Sequence, residues 1–183
     1  MSATDDNTLI DRCLSGDGRA FAELLAAYER VVFTLALRMT GDREEARDVT
    51  QQVFLKVHRG LAGFDRRRRF FSWIYRIAVN ESINARRSRR DHESLDERLV
   101  DPAPTPEEQS MRREVAAGVQ AALLRLPDAD REVLVLRHWL EQSYAEIADA
   151  LGLPESTIKS RLFEARQRLG RLLRTEGGGR DGA

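Results

Sequence analysis

The sequence predicts an all-α protein built as two small helical domains joined by an extended acidic linker. Three observations carry this. Apolar residues recur at i, i+3, i+4, i+7 along successive segments. Helix-capping and helix-breaking residues fall between those segments: Gly41-Asp42, Pro127-Asp128, Ser143 and Gly152. One proline-bearing acidic stretch divides the 183 residues in two. The expected boundaries are residues 1–90, a linker over 91–109, a second domain over 110–176 and a disordered tail over 177–183.

The elements follow in order. Thr8 to Leu14 reads as a short opening helix ended near Gly16. Asp17 starts a longer one, whose apolar face is Phe21, Leu24, Leu25, Tyr28, Val32, Leu35, Ala36 and Met39. Gly41 is placed to stop it. Asp42 with Glu45 is a variant of the capping box, and the next helix buries Ala46, Val49, Val53, Phe54 and Val57. Its other face carries Glu44, Glu45, Asp48, Gln51 and Gln52, which suits either plain solvation or docking of a basic partner. Phe70 to Arg89 is a third helix, too apolar to stand alone, with Ile74, Ile77 and Ala78 facing the first two. At 100° per residue, Trp73 and Tyr75 lie on different sides of it.

In the linker, Pro102, Pro104 and Pro106 alternate among mutually repelling acids, which favours an extended chain. Fully stretched, it spans up to ~60 Å, more than one ~34 Å turn of duplex. Thr105-Pro106-Glu107-Glu108 restarts helix, and Val115, Val119, Ala122, Leu123 and Leu126 form its face. Pro127 breaks it and Asp128 opens another. Ser143-Tyr144-Ala145-Glu146 is a capping box heading a short helix to Leu151. After Gly152 and Pro154 a last helix runs from about Glu155 to Arg174.

The formal net charge is zero, but the charges are segregated. Arg59 to Asp91 holds ten arginines against three acids. Asp91 to Gln109 holds seven acids against Arg98, and Pro154 to Glu176 holds six bases against three acids. Two basic blocks flank an acidic one. All basic residues but Lys56 and Lys159 are arginine, which fits phosphate recognition and equally fits a GC-rich coding sequence. Cys13 is the single cysteine, so no disulfide framework or cysteine-based zinc site is expected. His58, His92 and His138 lack metal-ligand spacing. No long apolar run or signal-type start is present, so a soluble, cytoplasmic protein without membrane insertion is expected.

Two stretches carry chemistry. In the first, Arg66, Arg67, Arg68 and Arg69 lead into Phe70, Phe71, Trp73 and Tyr75, and Arg86, Arg87, Arg89 and Arg90 follow. Arginines bind phosphates bidentately and aromatic faces stack on exposed bases, so this interleaving suits a strand whose bases are leaving the stack. A buried helix with solvated charged ends is the plainer reading. The second stretch, Ser143 to Leu169, has helix-turn-helix grammar: Ile147 and Ala148, a turn at Gly152, then Ile158 and Leu162. Ser156, Thr157, Lys159, Ser160, Phe163 and Arg166 are left as an outward face fit for a major groove. Helical hairpins of this spacing also occur without DNA.

Four motifs stand in order: Glu45-Ala-Arg-Asp48-Val-Thr-Gln51-Gln-Val-Phe54; Phe71-Ser-Trp73-Ile-Tyr-Arg-Ile-Ala-Val-Asn80; Leu126-Pro127 with Arg131-Glu132-Val133; and Tyr144-Ala-Glu146-Ile147-Ala148 with Ser156-Thr-Ile-Lys-Ser160-Arg161-Leu162. Together they resemble the extracytoplasmic-function sigma factors of bacterial RNA polymerase, which keep only sigma regions 2 and 4. The resemblance covers Asp17 to Leu173. It implies a region 2 bundle of three to four helices and a region 4 helix-turn-helix. It also implies that the chain binds polymerase core at the clamp helices of the largest subunit and at the beta flap, and directs it to promoter DNA. Asp48, Gln51, Gln52 and Phe54 would dock on the clamp helices. Arg66, Arg67, Arg68, Arg69, Trp73, Tyr75, Arg76, Asn80, Asn84, Arg86 and Arg87 would melt and read the minus-ten element. Tyr144, Ser156, Thr157, Lys159, Ser160, Arg161, Phe163 and Arg166 would read the minus-thirty-five element. The acidic linker would thread towards the RNA exit path.

The sequence departs from the common family pattern at Gln52, Asn84, Glu155 and Glu164. The resemblance further implies an anti-sigma partner and no cofactor, catalytic residue or metal ligand, the polymerase supplying the chemistry. A stand-alone helix-turn-helix regulator is the alternative, and it leaves the aromatics of the first domain without a role.

Overall fold

A computed structural model describes residues 3–92 and 107–177. The first half comprises α1 (Ala3–Leu14), α2 (Gly18–Thr40), α3 (Arg43–Gly60), a 3-10 turn over Leu61–Gly63, and α4 (Phe70–His92). The second comprises α5 (Glu107–Arg125), α6 (Asp128–His138), α7 (Tyr144–Leu151) and α8 (Glu155–Gly177). The described residues include no strand. Residues 93–106, with all three linker prolines, and the tail after Gly177 lie outside the described part. Asp91 and His92 continue α4, and Glu107 to Gln109 open α5, so helix enters the expected linker from both ends.

Local chemistry sets the corners. Arg12 Nε and Nη2 donate to Asp17 Oδ2 at 3.0 and 2.7 Å, and Nη1 donates to Glu23 Oε2 at 2.8 Å. The guanidinium holds both carboxyls below their ordinary range. Asp17 caps α2 by accepting from the Arg19 N–H (2.9 Å). Gly41 ends α2 with φ +81°, a left-handed conformation that glycine adopts without strain. Asp42 then caps α3 through the Glu45 N–H (2.8 Å).

Helices α2, α3 and α4 bury the stripes that their spacing predicts. Leu24, Val32, Leu35, Ala36 and Met39 of α2 face Ala46, Val49, Val53, Phe54 and Val57 of α3, with Ile74 and Ala78 of α4 in the same core. Each of these side chains larger than alanine, once fully buried, contributes ~1.5–3 kcal/mol in transfer free energy. Aromatic rings close one end: Phe64 lies 5.5 Å from Phe70 and 5.0 Å from Trp73, and Phe70 lies 5.1 Å from Tyr28. Tyr28 in turn donates to Asp6 Oδ2 at 2.6 Å, tying α1 to the bundle.

The second half packs α6, α7 and α8 around Leu134, Leu136, Ile147, Ile158 and Leu162. On α5 the expected face is only partly used. Ala122, Leu123 and Leu126 are buried, but Val115 is exposed. Residues 114–117 are all exposed, because α5 meets its neighbours only through its later turns.

The two halves pack directly against each other. Arg38 and Gln120 exchange hydrogen bonds, Arg38 Nη1 to Gln120 Oε1 at 2.8 Å and Gln120 Nε2 to the Arg38 carbonyl at 3.3 Å. Leu124 of α5 sits against Gly41, where a Cβ would lie 2.4 Å from Leu124 Cδ1. Arg131 is fully buried at the join. Pro127 breaks the α5–α6 connection and leaves the last α5 carbonyls without helical partners. Arg131 takes those of Leu123, Leu124 and Leu126 (2.7, 2.9 and 2.7 Å).

Candidate nucleic-acid interface

Along α4, Trp73, Arg76, Asn80, Asn84 and Arg87 recur at steps of three and four residues. At 100° per residue they fall within about 80° of one another, so they form one stripe. Arg76, Asn80, Asn84 and Arg87 are exposed and Trp73 is half-buried, with one face against Phe64 and Phe70. Gly60 makes room for the indole: a Cβ there would come within 3.1 Å of Cζ2. The stripe therefore offers an aromatic edge, one amide pair and two cations in line, the chemistry for holding a strand by stacking and phosphate contact.

Two residues expected on this surface lie elsewhere. Tyr75 is 3% exposed, stacked on Phe71 at 6.1 Å, and its hydroxyl has no hydrogen-bond partner. Arg86 points the other way from the stripe, donating Nη1 to Asp128 Oδ1 (2.9 Å) and Nη2 to the Leu124 carbonyl. Helical phase explains both, since each sits about 200° or more around α4 from Trp73.

The arginine run before α4 splits in the same way. Arg67 folds back on Asp65, its Nε 3.0 Å from Oδ1, and this hydrogen bond holds the Asp65 carboxyl low. Arg66 pairs with Asp11, Arg68 is exposed, and Arg69 reaches Glu146 of α7 at 3.0 Å.

On α3, Asp48, Gln51 and Gln52 are exposed while Phe54 is 8% exposed beneath them. They stand between two grooves. Gln51 and Leu55 line one of about 730 Å³ with Phe21, Leu25, Phe33 and Phe54. Asp48 and Gln52 line the other, of about 540 Å³, with Glu81, Asn84 and Arg89. The outer side of α3 is thus a polar ridge beside an apolar trough.

In the helix-turn-helix, Ser143 and Glu146 form the predicted reciprocal box: Glu146 N–H to Ser143 Oγ at 3.2 Å, and Ser143 N–H to Glu146 Oε2 at 2.9 Å. Gly152 turns the chain with φ +67°. On α8, Ser156, Lys159, Ser160, Phe163 and Arg166 are exposed and share one face; Phe163 is 62% exposed. Lys159 pairs with Glu155 at 2.8 Å and lies 5.7 Å over the Tyr144 ring. Arg166 Nε donates to His138 Nε2 at 3.4 Å. Thr157 and Arg161 are half-buried on the flank. Arg161 opposes the effect of burial on Glu132, whose carboxyl is pushed up to about 7, burial being the main cause.

Contacts that the motifs did not foretell cluster where the halves meet. Ser72 donates to Asp149, Arg76 Nε donates to the Ala150 carbonyl at 2.8 Å, and Arg131 Nη1 donates to the Met39 carbonyl at 3.1 Å. Arg131 is the one with a local sequence signal, the proline four residues before it.

The family description Sigma-70 region 2 matches residues 24–92, and Sigma-70 region 4 matches residues 117–169. RNA polymerase sigma-H factor of Pseudomonas aeruginosa is 33% identical over 94% of this chain and 96% of its own. ECF RNA polymerase sigma factor SigW of Bacillus subtilis is 32% identical over 90% of this chain and 95% of its own. Among solved structures, CnrH in complex with the cytosolic domain of CnrY superposes with TM-score 0.71 at 29% identity, covering 93% of this chain and 98% of that one. RpoE of Bartonella quintana, solved with the anti-sigma factor NepR, shares the fold at TM-score 0.63 and 24% identity. The chain belongs to the extracytoplasmic-function sigma factors of bacterial RNA polymerase.

Proposed function

We propose that this chain docks on polymerase core through the exposed ridge of α3, holds the minus-ten strand along α4 and reads the minus-thirty-five duplex with α8. The α4 stripe carries the reading. A face that only packed would bury its aromatic among aliphatics, and a face that only met solvent would have no reason to align Trp73 with Arg76, Asn80, Asn84 and Arg87. Asp48, Gln51 and Gln52 supply the docking contacts, with Phe54 supporting the ridge from below. On α8, Ser156 and Ser160 suit base edges, Lys159 and Arg166 suit phosphates, and Phe163 suits a thymine methyl group. Tyr144 stands at the start of α7, beside Lys159, where a backbone contact would fall.

Unstacking a base costs a few kcal/mol and an aromatic stack returns ~1–3 kcal/mol. Melting therefore needs polymerase contacts as well, and the free chain does not open duplex. We assign the protein to the cytoplasm with polymerase; no helix among the described residues is long and apolar enough to cross a membrane. We also assign an anti-sigma partner, as the family resemblance implies; CnrH, similar over most of its length, is solved with a bound protein, the cytosolic domain of CnrY.

In vitro transcription with polymerase core on genomic fragments tests the reading. RNA chains with discrete start sites, sharing elements upstream, are the expected result. Binding to duplex DNA without co-migration with core, and without RNA synthesis, would make it a stand-alone regulator.

A further inference from the structure

We propose that His138, at the end of α6, is a positioning residue for duplex binding: its neutral imidazole holds the Arg166 guanidinium by Nε and leaves the Nη pair aimed at a backbone phosphate. This rests on the role assigned to α8 above.

Arg166 stands about two turns after Lys159 on the exposed face of α8. Its Nε donates to His138 Nε2 at 3.4 Å, and among the described residues it pairs with no acid. Arg168, on the same helix, is held differently. It pairs with Asp130 of α6 and, at 3.6 Å, with Glu164. The contrast is chemical. A carboxylate orients a guanidinium but offsets its charge. A neutral imidazole nitrogen orients it and leaves the charge whole for a phosphate.

The shape of the guanidinium does the rest. Its N–H groups lie in one plane. With the Nε–H taken by His138, those of Nη1 and Nη2 remain for another partner. A pair of donors in one plane is what a phosphate accepts bidentately. An unanchored arginine gives up rotamer freedom on meeting that phosphate, whereas an anchored one has already given it up.

His138 is itself held in place. It lies in the last turn of α6, its ring edge-on to Trp139 with centroids 6.5 Å apart and planes at 88°. The Arg38 guanidinium of α2 covers that indole at 5.1 Å. Beside it, Arg137 donates to the Gln142 carbonyl at 2.9 Å and lies 5.4 Å over the Tyr144 ring, which Lys159 meets at 5.7 Å. The last turn of α6 thus stands behind both cations assigned to the duplex. The charged groups acting on His138 are Arg166 of α8 and Arg137 of its own helix. Burial first, then these two, hold the imidazole below its ordinary range. At neutral pH it is therefore uncharged and has a lone pair to offer.

The contact also fixes a tautomer. An Nε2 that accepts carries no proton, so the proton sits on Nδ1. Heteronuclear NMR of the histidine ring nitrogens in the full chain reads this, the His138 signals being those lost in His138→Gln. The expected result is the Nδ1–H form in the wild type and the Nε2–H form in Arg166→Ala. The Nε2–H form in the wild type overturns the proposal.

Fluorescence anisotropy of the full chain on a labelled random-sequence duplex gives the second reading. His138→Leu removes the acceptor and should weaken binding roughly two- to tenfold, the worth of one hydrogen bond. His138→Gln puts an amide oxygen within the same reach and should keep most of the affinity. In an Arg166→Ala background, His138→Leu should add no further loss. A full further loss there would make His138 a phosphate contact of its own and overturns the proposal, as does a His138→Leu chain that binds like the wild type. Circular dichroism checks that helix content is kept; if the leucine variant does not fold, the tautomer alone decides. If Arg166→Ala leaves binding unchanged while the tautomer is as expected, the role given to α8 is what fails, and the proposal falls with it.

Discussion

Arg131 of α6 donates its Nη1 to the main-chain carbonyl of Met39, so the guanidinium that finishes α5 also fastens the end of α2. Its acceptors include the carbonyls of Met39, Leu123, Leu124 and Leu126 and the carboxylate of Asp128. A buried charge with all its donors satisfied is tolerated; the same acceptors left without it are not.

Arg131→Ala is expected to cost about 3–5 kcal/mol, since it strands several buried carbonyls at once. Arg131→Lys should recover only part of this, because an ammonium lacks the planar fork. Urea titration followed by circular dichroism measures both. A loss under 1 kcal/mol for the alanine variant would mean that water reaches these carbonyls.

Trp73→Ala is expected to slow promoter opening while leaving closed-promoter binding nearly unchanged. The stack lost is worth ~1–3 kcal/mol. Because the indole also leans on Phe64 and Phe70, part of the protein's stability goes with it, so opening is best followed well below the variant's melting temperature. A fluorescent base analogue in the minus-ten element reports opening. Equal signal from variant and wild type would remove Trp73 from the melting role.

Lys159→Ala and Arg166→Ala should each weaken binding to all duplex sequences and lower the slope of log K against log salt by about one. Glu155 competes for Lys159 at 2.8 Å, so Glu155→Gln should act in the opposite direction. Titrations at several salt concentrations separate the cases; a slope that does not move excludes a phosphate contact by that side chain.

Glu132 makes stability depend on pH. Burial raises its carboxyl to about 7, Asp128 adds to this and Arg161 opposes it, while Glu132 itself helps to keep the buried Tyr75 phenol protonated. The folded chain therefore holds a proton that the unfolded chain gives up near the ordinary carboxyl value. This contribution is whole below that value and is lost as pH rises through about 7. Glu132→Gln, which cannot ionise, should stabilise the protein by about 1–3 kcal/mol at pH 8 and by little at pH 4.5. Melting curves at the two values decide it; equal shifts at both would show that Glu132 is solvated.

What could be read from the sequence follows the range of the interaction. Asp17, Asp42 and Ser143 were legible as helix starts because a cap bonds within three residues of itself. The faces of α2 and α3 were legible because period alone fixes them. On α4 the spacing already put Trp73 and Tyr75 on different sides, but not which side was covered. That depended on where α2, α3 and α7 pack against it, and α7 lies far along the chain. The seam was not legible at all. Ser72 meets Asp149 and Arg76 meets the Ala150 carbonyl across more than seventy residues, and a carbonyl acceptor has no letter in the sequence. Val115 fits its periodic stripe and is nonetheless exposed, since a stripe says nothing about how far the neighbouring helices extend.

Cys13, near the corner that Arg12 closes, is half-covered, and burial pushes its thiol up. A sulfur kept protonated is a poor nucleophile. Cys13, the single thiol of the sequence, is thus held back from reaction with peroxides and electrophiles.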